Sequence, residues 1–499
     1  MHVDHIQTHR NKKRKSIKKV MANKTCVYFF PVYAAGHLIA MIEFAKRLST
    51  FGNSFFIHFL LILPDNPNHG SPLCSSYLQS LQAQNTAFQF HPLPFVEPPT
   101  SFNGTIEFLS LRTRSYMPHV KEQLLASPSP ITALVLDVFA SDAIDVANEL
   151  NIPSYIYYTS NATSYALMSH FSCQKEENNP KDNLKVEAIC VPGLVPIPLT
   201  CIEYLFSNRK STFDKWFMHY GRRSNEAKAV ILNSNNYLEK TAVEALVKGT
   251  PLAPDTKISG IYPIGPVISS DKNNSQEHEC LKWLDRQPMK SVVFLCFGST
   301  GAFDVSQSRQ IASALEQSGH RFLWAIRTPS NEFLGFPTDG NLGELLPGGF
   351  IERTKERGLV WPSLVPQTDI LSHEAIGGFI THCGWNSCLE SLWFGVPMVP
   401  WPLHFEQHLN AFQLVNEMHV AIALELDRKE GFVSAKELER AIKCLMDEGS
   451  DEGRSVRKRA QEIKLACRKA VEVGGMSYIH LQNLATELGR QGVVHRLST

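Results

Sequence analysis

The chain lacks an uninterrupted apolar run of about 18 residues, so no transmembrane helix is expected from it. It also lacks charge of either sign in excess. A formal net charge of +1 argues against nucleic acid or an anionic membrane as the main partner. Eleven cysteines are scattered singly from Cys26 to Cys467, with no C-x-x-C pair, although Cys383 and Cys388 lie close. That spacing argues against a structural zinc or a disulfide framework and points to reduced thiols in a cytoplasmic setting. No repeat at a solenoid period is present. No G-x-G-x-x-G follows the first strand, which weakens a dinucleotide site there.

What is present is ordinary for a globular enzyme: 43% hydrophobic and 19% charged residues. A length of 499 residues predicts two domains rather than one core. Residues 1–24 are polar and basic, with Lys12-Lys-Arg-Lys15. They read as a disordered tail rather than a nuclear signal, and Met21 is a candidate start. Thr25 to Pro31 is an apolar first strand. His37 then opens an amphipathic helix whose buried face is Leu38, Met41, Ile42, Ala45 and Leu48. His37 is either an exposed helix-terminal residue or a functional one. Phe102 to Leu125 is predicted as one helix. Ile131 to Leu136 is a strand with Asp137 at its carboxyl end, where α/β active sites collect. Asp142 and Asp145 instead suit the first turn of the next helix. Residues 172–212 are irregular and proline-rich, and residues 267–281 read as the interdomain linker. Ser291 to Phe297 begins a second α/β half, and the small residues from Gly298 to Gly301 make either a plain turn or a phosphate loop. The last helices span about 451–473 and 477–490.

The most informative stretch runs from Leu364 to Gln407. Ile376 to Thr381 is a short buried strand. His382-Cys-Gly-Trp-Asn-Ser387 is a tight turn, Cys388 to Phe394 a helix, and Gly395-Val-Pro397 its stop. A second short strand follows at Met398, with His404, Glu406 and Gln407 beyond it. The turn is either an ordinary strand–helix connection or an anion site, since a helix amino end offers free N–H groups and partial positive charge. The clustered Trp385, Glu390, Glu406 and Gln407 tilt it towards a ligand rich in hydroxyls.

This stretch resembles the 44-residue signature box of plant family-1 UDP-glycosyltransferases. Pro366-Gln367, Ile370-Leu371, His373, Gly377-Gly378-Phe379, His382, Gly384-Trp385-Asn386-Ser387, Glu390, Gly395, Pro397, Trp401-Pro402 and Glu406-Gln407 all stand at the box spacing. One position departs. The box normally opens with a Trp that stacks on uracil, and here it opens with Leu364, three residues after Trp361.

The resemblance implies an α/β fold of GT-B type, with two Rossmann-like doubly wound domains facing across a cleft. It places an acceptor domain at 25–266, a linker at 267–281, a UDP-sugar domain at 282–473, and a helix over 474–499 crossing back to the first domain. It further implies an inverting, metal-independent transfer from UDP-glucose, a co-substrate, to a hydroxyl of a small plant phenolic, flavonoid or terpenoid, with no other cofactor. His37 would be the base and Asp137 its orienting partner. Ser299, His382, Asn386 and Ser387 would meet the diphosphate. Leu364, Val365 and Gln367 would meet the uracil, Glu390 the ribose, and Trp385, Glu406 and Gln407 the sugar. Gln at the last box position goes with glucose in that family. Another UDP-sugar, C-transfer and a non-catalytic UDP-sugar binder are the alternatives. A cytoplasmic monomer is expected.

Overall fold

The computed structural model describes residues 25–51, 55–64, 71–83, 88–173, 187–203, 212–252, 254, 256–269, 277–330, 335–427 and 431–497. The basic tail, Met21 and residues 270–276 of the expected linker lie outside the described residues.

Seven parallel strands make the first sheet: β1 (Thr25–Phe30), β2 (Phe55–Leu61), β3 (Gln89–Pro92), β4 (Ile131–Asp137), β5 (Ser154–Tyr158), β6 (Ala229–Leu232) and β7 (Gly260–Pro263). Their order is β3-β2-β1-β4-β5-β6-β7. Five more make the second: β8 (Val292–Cys296), β9 (Arg321–Ala325), β10 (Gly358–Trp361), β11 (Ile376–Thr381) and β12 (Met398–Pro400), in the order β10-β9-β8-β11-β12, again all parallel. Each sheet is covered on both faces by apolar side chains, so the central strands read as unbroken apolar runs rather than alternating ones. In both sheets the order reverses beside the first strand of the half, between β1 and β4 and between β8 and β11. A crevice opens at such a point beyond the carboxyl ends of the strands.

Six helices matter to the site: α1 (Ala35–Ser49), α2 (Ala162–Ser172), α3 (Trp385–Phe394), α4 (Gln407–Phe412), α5 (Asp451–Val471) and α6 (Met476–Leu497). All five residues expected on the inner face of α1 are buried. The predicted helix over 102–125 is instead two, Thr105–Ser115 and Met117–Leu125, broken at Tyr116. Pro118 lacks the N–H that a continuous helix would use, so a new helix starts there. Beyond the second sheet, α4 gives way to a wider π turn over Gln413–Glu417.

The chain returns to the first domain after α5. Gly474 has a φ of 85°, and a Cβ on Gly475 would lie 2.2 Å from the Lys469 carbonyl, so the reversal needs both glycines. Leu481, Leu484 and Leu488 of α6 then pack with Phe29 and Tyr157 on the first sheet. Burying each leucine contributes about 1.5–3 kcal/mol. Glu487 fixes the register: it accepts from Tyr155 Oη at 2.6 Å and from Tyr262 Oη, and pairs with Lys228 at 3.0 Å.

Candidate active site

Both reversal points carry the residues that the sequence singled out. At the first, β1 runs into the turn before α1, which presents His37. Asp137 ends β4, is fully buried, and accepts from Phe139 N–H at 3.0 Å through Oδ1. Its Oδ2 lies 2.7 Å from His37 Nδ1. The His37 side chain keeps 23% of its surface exposed, so the pair has one buried and one open end. With Nδ1 held by the carboxylate, Nε2 is the atom free to take a proton. Burial pulls the imidazole pKa down, but the charge and hydrogen bond of Asp137 outweigh it. With a further contribution from Glu406, the His37 pKa stands raised.

At the second reversal point, Ser299 follows β8 and His382 follows β11. His382 is clasped by two glycines. A Cβ on Gly298 would lie 2.7 Å from its ring, and one on Gly384 would lie 2.5 Å from Nε2. The missing side chain of Gly384 makes room for the His382 ring. Burial pushes the His382 pKa down to about 4, with His404 adding to it, so the ring is neutral at pH 7. Its buried Nδ1 has no partner among the described residues. Cys383 takes a left-handed φ of 65°, unusual for a residue with a side chain, and turns the chain into α3. The α3 amino end, Asn386 and Ser387 gather beside that turn. The donor chemistry here suits a diphosphate: a neutral imidazole, an amide, hydroxyls and free N–H groups.

Other expected donor residues are placed less simply. Gln367 Nε2 donates to Ser387 Oγ at 3.0 Å and to Glu390 Oε2 at 2.7 Å, so its amide orients Glu390. Burial pushes the Glu390 carboxyl up to about 7, against the lowering effect of hydrogen bonds from Gln367 and Thr368. Trp385 is 3% exposed, and its indole N–H donates to the Asn233 carbonyl at 2.8 Å. The indole is thus spent on the first domain and offers no face to a sugar. Asn386 Nδ2 donates to the Gly36 carbonyl at 2.8 Å, next to the base itself. Gln407 Oε1 accepts from the Leu403 and His404 N–H groups at 2.9 and 2.8 Å, leaving its NH2 as the half that can meet a hydroxyl. Glu406 is raised by burial and touches Ser160 Oγ at 3.4 Å.

Trp361 ends the edge strand β10, with its ring centroid 4.9 Å from that of His278 and its side chain against the second core. Trp361 and Leu364 are both half-buried, and Leu364, beside Val365, stands where the box has its Trp. Leu364→Trp is expected to tighten UDP binding about tenfold, since stacking on a base is worth about 1–3 kcal/mol. Calorimetry of UDP binding checks it; an unchanged affinity would mean the base is already covered.

Among the aromatic residues of the first domain, Phe139 lies 5.1 Å from the His37 ring and 5.2 Å from Tyr220. Tyr155 and Tyr158 are core residues, hydrogen-bonded to Glu487 and Ser164. Nothing in the sequence marks Asn161, Glu239, Asn410 or Gln413, which join the two domains around the site, or Thr159, which lies against His37. Each is a lone polar residue in an ordinary setting, and only the fold brings them together.

Two doubly wound domains with a His–Asp pair facing an anion-suited turn define a glycosyltransferase of GT-B type. The comparisons agree. A family profile described as "UDP-glucoronosyl and UDP-glucosyl transferase" matches residues 212–454. A malvidin galactosylase of Oryza sativa subsp. japonica is 43% identical, covering 94% of this chain and 99% of that protein. An anthocyanidin 5,3-O-glucosyltransferase of a Rosa hybrid cultivar is 39% identical, covering 92% and 98%. Among solved structures, a UDP-glucosyltransferase from Polygonum tinctorium capable of glucosylating indoxyl superposes with a TM-score of 0.83 at 34% identity, covering 94% of this chain and 99% of that one. Medicago truncatula UGT71G1 complexed with UDP-glucose gives 0.79 at 35% identity, covering 93% and 98%. The chain belongs to the plant UDP-glycosyltransferase family. Among the described residues no helix is long and apolar enough to cross a membrane.

Proposed function

We propose that this enzyme transfers glucose from UDP-glucose to a phenolic hydroxyl of a flavonoid-type acceptor, with inversion at the anomeric carbon. The 2.7 Å His37–Asp137 pair, set beside the diphosphate turn, is the observation that carries this reading. His37 Nε2 takes the hydroxyl proton as the acceptor oxygen attacks the sugar C1 and the C1–O bond to UDP breaks. Asp137 holds the ring and stabilises the imidazolium. Ser299, His382, Asn386, Ser387 and the α3 amino end meet the charge that gathers on the leaving diphosphate, without a metal. Val365 and Leu364 cover the uracil, and Glu390, oriented by Gln367, binds the ribose. Gln407 and Glu406 read the sugar hydroxyls.

The acceptor class rests on Phe139 beside the base and on the flavonoid names of the relatives. Galactose is the second reading for the donor, because the rice relative is named a galactosylase. Purified enzyme offered UDP-glucose and UDP-galactose in separate reactions, against phenols, flavonols, anthocyanidins and terpenols, decides both by mass spectrometry. An added hexose from UDP-glucose on a flavonoid is expected. A product formed only from UDP-galactose would overturn the donor, and bound UDP-glucose with no product on any acceptor would overturn turnover itself.

A further inference from the structure

Three consecutive residues of the first domain, at the junction of β5 and α2, each touch a different part of the site. Thr159 Oγ1 lies 3.3 Å from His37 Nδ1. Ser160 Oγ lies 3.4 Å from Glu406 Oε1. Asn161 Nδ2 donates to Asn410 Oδ1, and both asparagines are fully buried. Asn161 Oδ1 accepts from Ser164 N–H at 2.5 Å and so caps α2. A capping asparagine needs only that oxygen; here the other half of the amide is spent across the domain boundary. Asn410 Nδ2 reaches on to the Cys383 carbonyl at 2.8 Å, in the diphosphate turn. Further along, Gln413 Nε2 donates to Thr163 Oγ1 at 2.8 Å and to Glu239 at 3.1 Å. Residues 160, 161 and 163 thus pair in order with 406, 410 and 413.

The chemistry makes this register matter. The base stands on one domain and the donor phosphates on the other. Transfer needs the reacting atoms about 3–3.5 Å apart. Cys383 holds a strained backbone conformation, which persists only where the surroundings over-determine it. Asn410 grips the carbonyl of that residue.

We propose that Asn161 and Asn410 are positioning residues for glycosyl transfer. Their amide pair ties the diphosphate turn, through the Cys383 carbonyl, to the segment that touches the base. Neither meets the reacting atoms. This inference rests on His37 as the base, so His37→Ala is measured beside the other variants.

The test uses the full chain with UDP-glucose and quercetin, replaced by the panel acceptor that turns over if quercetin does not. Asn161→Ala and Asn410→Ala should each lower kcat by at least about tenfold, because a misplacement near 1 Å can cost on the order of 100-fold. For Asn161→Ala, UDP affinity by calorimetry and KM for UDP-glucose should stay within about twofold, as expected when an interaction serves only the transition state; Asn410→Ala also releases the Cys383 carbonyl and should weaken UDP as well. The double variant should be no slower than the worse single one, since one tie is lost either way. The pH profile of kcat/KM should keep its acid limb, because His37 and Asp137 are intact. Wild-type kcat with a lowered melting temperature would reduce the pair to a structural contact and overturn the proposal. Multiplying losses in the double variant would overturn it too. If an alanine variant does not fold, Asn161→Asp carries the question: it keeps the cap on Ser164 and loses the donated hydrogen bond. An active His37→Ala enzyme would instead bring down the base assignment.

Discussion

His37→Ala is expected to lose transfer by about 10²- to 10⁴-fold, the usual worth of a positioned general base. UDP binding should persist, because the residues proposed to meet the diphosphate, Ser299, His382, Asn386 and Ser387, all lie on the second domain. Single-turnover transfer and calorimetry separate the two effects, and a variant that kept wild-type rates would end the assignment. The pH dependence carries a sign. With His37 as the base, neutral imidazole is the active form, and its pKa is raised above the ordinary 6.5. Activity should therefore climb with pH through a limb lying above that value. Asp137→Asn keeps the shape but removes the charge that offsets burial. The limb should then move to lower pH while the plateau falls, as when an orienting carboxylate is lost from a Ser-His-Asp triad. A limb that stayed in place would show that Asp137 does not set the base.

The second large effect is expected in stability. Glu239 is 2% exposed and answers five donors: the Ala162 and Thr163 N–H groups at 2.7 and 3.0 Å, Thr163 Oγ1 at 3.0 Å, Ser234 Oγ at 2.6 Å and Gln413 Nε2 at 3.1 Å. It caps the start of α2 and holds the second domain with the same carboxylate. Each buried donor left unsatisfied costs about 1–3 kcal/mol, so Glu239→Ala should cost more than about 3 kcal/mol. Glu239→Gln, similar in shape but with one acceptor oxygen exchanged for a donor, should fall between. Urea midpoints for the three proteins measure this. A native midpoint in the alanine variant would mean that water replaces the carboxylate.

The donor half of the site was largely legible in the chain. His382, Asn386, Ser387 and Glu390 are near in sequence because a single strand–turn–helix carries them, and local spacing translates directly into local geometry. His37 and Asp137 were legible for a related reason. Asp137 ends an apolar strand and His37 lies in the first turn of the helix that follows one, where doubly wound sheets open. Gln367 and Trp385 were less so. Their neighbours in sequence say nothing of Glu390, 23 residues from Gln367, or of Asn233, on the other domain. The His382 ring that Gly384 accommodates is likewise invisible in the sequence.

Sequence alone determined the two α/β halves and the placing of Asp137 and the 382–387 turn beyond strand ends, since apolar periodicity and turn chemistry are short-range properties. Only the tertiary structure decided how the halves meet. The Asn161–Asn410 tie, the Glu239–Gln413 bond and the Trp385–Asn233 bolt join residues 249, 174 and 152 positions apart. A buried hydrogen bond depends on distance and direction in space, and a one-dimensional pattern carries neither.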